Sequence, residues 1–284
     1  MDKPGALTET ATGARLLPKA PAPRLPDSLA PQAQKDTMLL QHATWPDVEA
    51  YLKDANGIIV PIGSTEQHGP NGMIGTDSLC ADGLARGLGE AVGAMVAPVI
   101  NVGMAQHHMA FPGSMTLRPS TLIAVVRDTV ASLARHGFSR FYFLNGHGGN
   151  VATLTAAFSE IYGESSLQTG QQPTVRCRLK NWWVNPNVGR IARETFGSRE
   201  GSHATPSEIS LTWFLHPEAA RPMDLPQVLP ADGGFTDAAD FRRRYPDGRM
   251  GSDPSLATID HGRRLYEAAI TDLSEDWKRF LAEG

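Results

Sequence analysis

Two carboxylates and an imidazole, Glu66, His68 and Asp77, fall within twelve positions of one another in this chain. That ligand mix suits Zn²⁺, Mn²⁺ or Fe²⁺ and allows two ions to share a bridging carboxylate. A second imidazole, His147, lies about 80 residues on, between Gly146 and Gly148. Glycines on either side let a side chain project into a cleft without crowding. A third group, Ser202 to Glu208, places His203 just ahead of a helix start and Glu208 three residues after Thr205. His203 is suited to taking up or giving a proton near neutral pH.

Each of these residues also has a plainer reading. Asp77 is placed to cap the helix that follows it, and Glu66 or His68 can be ordinary loop polar groups. Thr205, Pro206 and Glu208 form a complete capping-box pattern. The Asn145–Asn150 glycine loop could cradle an anion at a helix N-terminus. It lacks the Lys-Ser/Thr ending of a phosphate-binding loop and the spacing of a dinucleotide fingerprint. His147-Gly148-Gly149 resembles an esterase oxyanion loop, but no Gly-x-Ser-x-Gly accompanies it. His107 and His108 precede the loop Met109–Leu117, which could line a pocket, although adjacent loop histidines are more often merely solvated.

What positions these residues is an alternation of short apolar runs and helical patterns from Trp45 onward, the signature of an α/β layer structure with a mainly parallel sheet. Thr44 with Trp45, Pro46 and Asp47 reads as a helix start. Gly57–Gly63 reads as a buried strand, followed by a helix from Asp77 to about Val92 and a second strand over Met95–Ile100. A Pro119-led helix carries Leu122, Val125, Val126, Val130 and Leu133 at helical spacing. The strand Phe141–Leu144 runs into Asn145–Asn150. Later strand-to-loop junctions are expected at Val175–Leu179 and before Ser202. In open α/β sheets, ligands bind beyond the carboxyl ends of the strands, which would bring Glu66, His68 and His147 onto one rim.

The chain has 284 residues, enough for a single large domain with a sizeable core. Its net charge of −4 provides no basic footprint for nucleic acid or an anionic membrane, which leaves a small-molecule partner. Cys80 and Cys177 match neither a zinc-thiolate spacing nor a disulfide framework, which fits a reducing cytoplasm. No apolar run approaches the roughly 20 residues of a membrane helix, and no signal-peptide core is evident. Residues 1–36, rich in Pro, Ala and Lys, read as a disordered extension, leaving 37–284 as one domain. The stretch from about Leu225 to Met250, with Gly233, Gly234 and Arg242 to Arg244, reads as an exposed excursion.

Taken together, Val60–Pro70, Gly75–Asp77, Phe111–Leu117, Asn145–Asn150, His203 with Glu208, and Gly251–Thr258 resemble, in order and separation, the creatininase (creatinine amidohydrolase) family. The resemblance spans about residues 38–284. It implies a single α/β domain with a central, mainly parallel sheet flanked by helices, assembled as a homo-oligomer, commonly a hexamer. It further implies two divalent ions, Zn²⁺ and/or Mn²⁺ with Fe²⁺ as an option, held by Glu66, His68, Asp77, His147 and Glu208, with Asp77 as the bridge. His203 and Glu208 become the catalytic pair. Trp182 and Trp183 would form an aromatic wall over a flat substrate, with His108, Ser114 and Gly148 as further substrate contacts. Core packing is the alternative for at least one of the tryptophans.

The implied reaction is hydrolysis of a non-peptide C–N bond in a small, cyclic or formylated amide by a metal-activated water. Creatininase itself has a glutamate two residues after the histidine of the Asn-Gly-His motif, where this chain has Gly149. That departure points away from creatinine and gives Glu208 more weight. The same metal site would also serve a lactonase, sugar isomerase or peptide-trimming enzyme. A non-catalytic anion-binding protein is the reading without metal.

Overall fold

The computed structural model describes residues 38–167, 174–226 and 234–283. The expected disordered extension over residues 1–36 lies outside them. Residues 35–284 cluster as one unit. At its centre is a four-stranded sheet in the order β2-β1-β3-β4, formed by β1 (Gly57–Ile62), β2 (Met95–Val96), β3 (Arg140–Asn145) and β4 (Arg176–Asn181). These four strands pair in parallel throughout.

All six β1 residues are buried, which explains an unbroken apolar run where a sheet with one wet face would alternate. Alternation appears instead in which core each side chain joins. Ile58, Val60, Ile62, Phe141 and Phe143 pack on one face with Leu122, Val126, Leu154 and Phe158. Ile59, Tyr142 and Leu144 pack on the other with Leu84, Leu88, Leu211, Leu265 and Trp277. The first face is covered by α1 (Trp45–Tyr51), α3 (Pro119–Ala134) and α4 (Asn150–Leu167). The second is covered by α2 (Thr76–Val92), α5 (Pro186–Phe196), α6 (Pro206–Leu215) and α8 (Ile259–Ala282). A further short helix, α7 (Ala238–Arg244), stands apart from both layers.

Several local expectations change. The second strand stops at Val96 because Pro98 has no N–H to give the ladder, and pairing resumes only as an isolated bridge between Ile62 and Ile100. No described strand leads directly into Ser202. The chain there leaves α5 through a 3-10 turn, Gly197–Arg199, and His203 is held by an antiparallel bridge to Met250. Asp77 does not cap α2: Gly75 is the N-cap and Asp77 lies in the first turn with its side chain turned to the site. The Leu225–Met250 stretch is exposed at Gly234 and Arg242 to Arg244, as expected, but is not exposed throughout where it is described. Phe241 is fully buried, and Tyr245 and Arg249 nearly so, because this segment folds back over the strand ends.

Candidate metal centre

The loops leaving β1 and β3 converge on the first turn of α2. Gly146 lies so close to that turn that a Cβ there would come within 2.0 Å of the Asp77 carbonyl oxygen, so any larger residue would push the two segments apart. The β3 loop is fixed by amides. Asn145 donates from Nδ2 to the His147 carbonyl at 2.7 Å and accepts from the His147 N–H at 3.1 Å. Asn150 donates to the Gly63 carbonyl at 2.9 Å and accepts from Met104 N–H at 3.0 Å, tying this loop to the β1 exit. The asparagines of the motif are therefore scaffolding for His147.

The result is a buried cluster in which Glu66, His68, Asp77 and His147 are at most 5 % exposed. Two sets of three ligand atoms lie close enough to share an ion: Glu66, Asp77 and His147, and His68, Asp77 and Glu208. Asp77 belongs to both. Its Oδ1 is 3.1 Å from His68 Nε2 and its Oδ2 is 3.2 Å from His147 Nδ1, so the two carboxylate oxygens face opposite trios. A third set, Glu66, His68 and His203, overlaps them.

Each of these histidines ties one ring nitrogen to a backbone carbonyl and turns the other toward the carboxylates. His68 Nδ1 is 3.1 Å from the Glu66 carbonyl, His147 Nε2 is 3.0 Å from the Met104 carbonyl, and His203 Nε2 is 2.8 Å from the Gln67 carbonyl. A carbonyl only accepts, so His68 Nδ1 and His147 Nε2 carry hydrogen, and the other nitrogen of each neutral ring offers a lone pair to the site. This is the arrangement that orients metal-ligating imidazoles. His203 Nε2 lies between the Gln67 carbonyl and, at 2.9 Å, the Gln67 side-chain nitrogen, an acceptor and a donor. Both oxygens of Glu66 and Oδ2 of Asp77 are buried with imidazole nitrogens at 3.1–3.3 Å but no well-formed hydrogen bond, an expensive arrangement unless a cation satisfies them.

The electrostatics agree. Burial works against the His68 imidazolium, but Asp77 and Glu208 outweigh it and raise the group to about 10. Burial likewise opposes protonation of His147, and Glu66 and Asp77 overcome it to raise this group to about 9. Burial disfavours the Asp77 carboxylate, yet His68 and His147 hold its pKa well below the usual range. The donor set thus calls for positive charge, and divalent cations fit it.

Glu208 satisfies both of its sequence readings at once. Its Oε1 accepts from Thr205 N–H at 2.6 Å, completing the capping box of α6, and its Oε2 is 3.7 Å from His68 Nε2. Burial raises its pKa to about 7, with His68 pulling the other way. His203 is lowered well below an ordinary histidine by burial and by the neighbouring His108 and His68 rings, so it is neutral. Its free Nδ1 lies 3.7 Å from Glu66 Oε1.

A cavity of about 500 Å³ opens onto Asp77, His147, His203 and Glu208, with Gly148, Trp182 and Trp183 in its wall. Trp182 is both core and wall, only 2 % exposed and edge-on to Trp183. His108 is buried rather than solvated, with Nε2 3.1 Å from Glu66 Oε1 on the inner side of the cluster. Ser114 is not among the residues lining the cavity, and its hydroxyl instead accepts from Gln67 N–H at 3.1 Å.

Three participants escaped the sequence reading. Gln67 donates its side-chain amide to His108 Nδ1 at 2.9 Å and to the Gly248 carbonyl at 3.1 Å. Phe241 of α7 stands edge-on to His108 at 4.7 Å. Glu200 lines the cavity with Oε2 buried and unpartnered. The only local signal for any of them was the position of Gln67 between two ligand candidates. At Gly149, a Cβ would sit 2.3 Å from His147 Nε2 and 2.5 Å from the Met104 carbonyl. With the His147 ring placed as it is, no side chain fits there.

Comparison with known proteins agrees with this geometry. The family described as Creatininase, creatinine amidohydrolase, matches residues 41–276. The mycofactocin precursor peptide peptidase of Mycolicibacterium smegmatis is 38% identical over 231 residues, covering 78% of this chain and 85% of that protein. The creatinine amidohydrolase of Pseudomonas putida is 32% identical over 247 residues, covering 82% and 93%. Among solved structures, one titled "Creatininase Mn" superposes with a TM-score of 0.75 at 22% identity, covering 86% of this chain and 98% of that one.

Proposed function

This chain belongs to the creatininase family of metal-dependent hydrolases, and from that premise we propose that it hydrolyses the C–N bond of a small amide, cyclic or formylated, at a pair of divalent ions. Glu66, Asp77 and His147 would hold one ion, and His68, Asp77 and Glu208 the other, with Zn²⁺ or Mn²⁺ as the expected metals. The observation that carries the reading is the shared Asp77 between two trios whose histidines each have one nitrogen tied to a backbone carbonyl. When bound, such ions supply Lewis acidity to the substrate carbonyl and lower the pKa of water.

The remaining steps belong to side chains. In this reading His203 enters the reaction neutral, in the tautomer whose Nε2–H donates to the Gln67 carbonyl and whose Nδ1 has a lone pair. Nδ1 takes up the proton released from the attacking water, and the imidazolium then delivers it to the departing nitrogen. Trp182 and Trp183 would flank a flat substrate in the cavity, with Gly148 beside them. We place the active domain at residues 37–284 and extend the family's homo-oligomeric, hexameric assembly to it. No described helix is long and apolar enough to cross a membrane.

Peptide trimming is the second reading, favoured by the Mycolicibacterium smegmatis relative, which is named for a precursor peptide. Metal-loaded protein assayed on cyclic amides, formamides, lactones and short peptides separates the two. Turnover of a cyclic amide or formamide is expected, with loss of both activity and bound metal in Glu66→Gln and His147→Ala. Unchanged metal content in both variants would overturn the assignment.

A further inference from the structure

One charged side chain in the cavity wall has no partner. Helix α5 lends the wall Val188, Gly189, Ala192 and Arg193, which share a face because positions three and four apart meet on a helix. Arg193 is the sole arginine or lysine among the described lining residues. No described residue makes an ion pair or hydrogen bond with its guanidinium. A Cβ placed on Gly189 would lie 3.2 Å from Arg193 Nη1, so the guanidinium reaches back over Gly189, itself part of the wall. Of the other arginines on α5 and the start of α8, Arg190 pairs with Glu194 at 3.0 Å and Arg263 with Asp260 at 2.7 Å, whereas Arg264, beside Arg190, makes no ion pair or hydrogen bond among the described residues. An unpaired arginine near a helix C-terminus is ordinary on an open surface. Arg193 is itself exposed, but it also lines the cavity whose wall includes His147, His203 and Asp77.

We propose that Arg193 is a specificity-determining residue that receives a carboxylate, so that the substrate class is a small amide bearing a carboxylate away from its scissile bond. This rests on the hydrolase reading given above. A guanidinium presents parallel N–H donors that match a carboxylate, which fixes orientation as well as adding attraction. The rest of the wall suits such a molecule. Trp182, Trp183, Val188 and Ala192 offer apolar surface to the chain linking its two ends. Asp77, Glu200 and Glu208 repel an anion elsewhere in the same wall, which leaves Arg193 on the α5 side as the one arginine or lysine among the described lining residues to attract a carboxylate. With its carboxylate at Arg193, the other end of the ligand points to the histidine and carboxylate cluster.

The test uses the full-length, metal-loaded protein and simple, non-hydrolysable probes: succinate, glutarate and adipate, each paired with the monocarboxylate of the same chain length (butyrate, pentanoate, hexanoate), titrated calorimetrically at constant ionic strength. One carboxylate of each probe is free to occupy the metal centre while the other end does or does not carry charge to Arg193. For at least one chain length the dicarboxylate is expected to bind tenfold or more tightly than its monocarboxylate. Arg193→Met should reduce that ratio to less than twofold while leaving metal content and monocarboxylate affinity unchanged, and Arg193→Lys should retain part of it. A ratio under twofold at every length, or one that survives in Arg193→Met, overturns the proposal. Elemental analysis of the same samples separates this from failure of the underlying reading: protein that holds no metal sinks the hydrolase assignment, and the inference with it.

Discussion

Glu208→Gln distinguishes a ligand from a helix cap because the two roles use different oxygens. Oε1 accepts from Thr205 N–H at 2.6 Å, and Oε2 faces His68 Nε2 at 3.7 Å. Glutamine keeps an oxygen for the cap and removes the negative charge from the site. Losing a cap altogether costs about 0.5–2 kcal/mol. A variant that retains it should, when stripped of metal, melt within roughly 2–4 °C of the stripped parent, the shift about 1 kcal/mol produces in a domain of this size. Relief from burying a carboxylate pushes the variant upward, since burial raises Glu208 to about 7 and disfavours its charged form at pH 8.

The loaded protein should behave otherwise. If removing the charged ligand weakens metal binding about 100-fold, mass action removes about 2.7 kcal/mol of stabilisation. That corresponds to a loss of roughly 5–11 °C. Differential scanning fluorimetry with and without chelation, paired with elemental analysis, reads both numbers from one preparation. Thr205→Ala is the control: it weakens the cap and should lower melting equally in loaded and stripped protein. Should Glu208→Gln keep two ions per subunit and the parent's metal-induced rise in melting temperature, Glu208 is a cap and nothing more.

The stripped protein should lose stability as pH climbs. His68 and His147 are raised to about 10 and about 9 in the fold, against about 6.5 in an unfolded chain. Their stabilising contribution is therefore complete below pH 6.5 and disappears as pH passes through 9 to 10. Because bound metal requires those same nitrogens without protons, the metal-induced gain in melting temperature should widen from pH 6.5 to 9, and parallel curves would contradict the ligand assignment. Gly149→Glu restores the residue found in creatininase but should not restore its site. Its Cβ would meet His147 Nε2 at 2.3 Å, and we expect at least tenfold weaker binding of one ion, measured by competition with a metal-sensitive dye.

Legibility in the sequence followed the range of the interaction. The cap of α1, the buried strands β1 and β3, and helices α3 and α6 are encoded within a few residues, and they form where the local pattern puts them. The candidate ligands were also legible, because a motif preserves side chains that must meet even when about 80 residues separate them. What the pattern could not carry was contact made by the fold alone. Gln67 finds Gly248 across 181 residues, and Phe241 reaches His108 from a helix that the composition suggested was exposed. Nothing near either residue in sequence announces its partner.

Asp77 and Glu208 show a different reason for error, which is that a local rule and a site can compete for one side chain or share it. An aspartate just ahead of a helix reads as a cap, but two imidazoles at 3.1 and 3.2 Å claim both of its oxygens, and Gly75 is left as the N-cap. At Glu208 the cap prevails without excluding the site. Holding Oε1 on Thr205 fixes the carboxylate, and a fixed carboxylate can aim Oε2 at His68 with no further loss of side-chain entropy. The same economy recurs in the histidines, whose backbone-bound nitrogens orient the free ones. Preorganisation of this kind means that a substitution removing a tether, while sparing every ligand, should still weaken the metal centre.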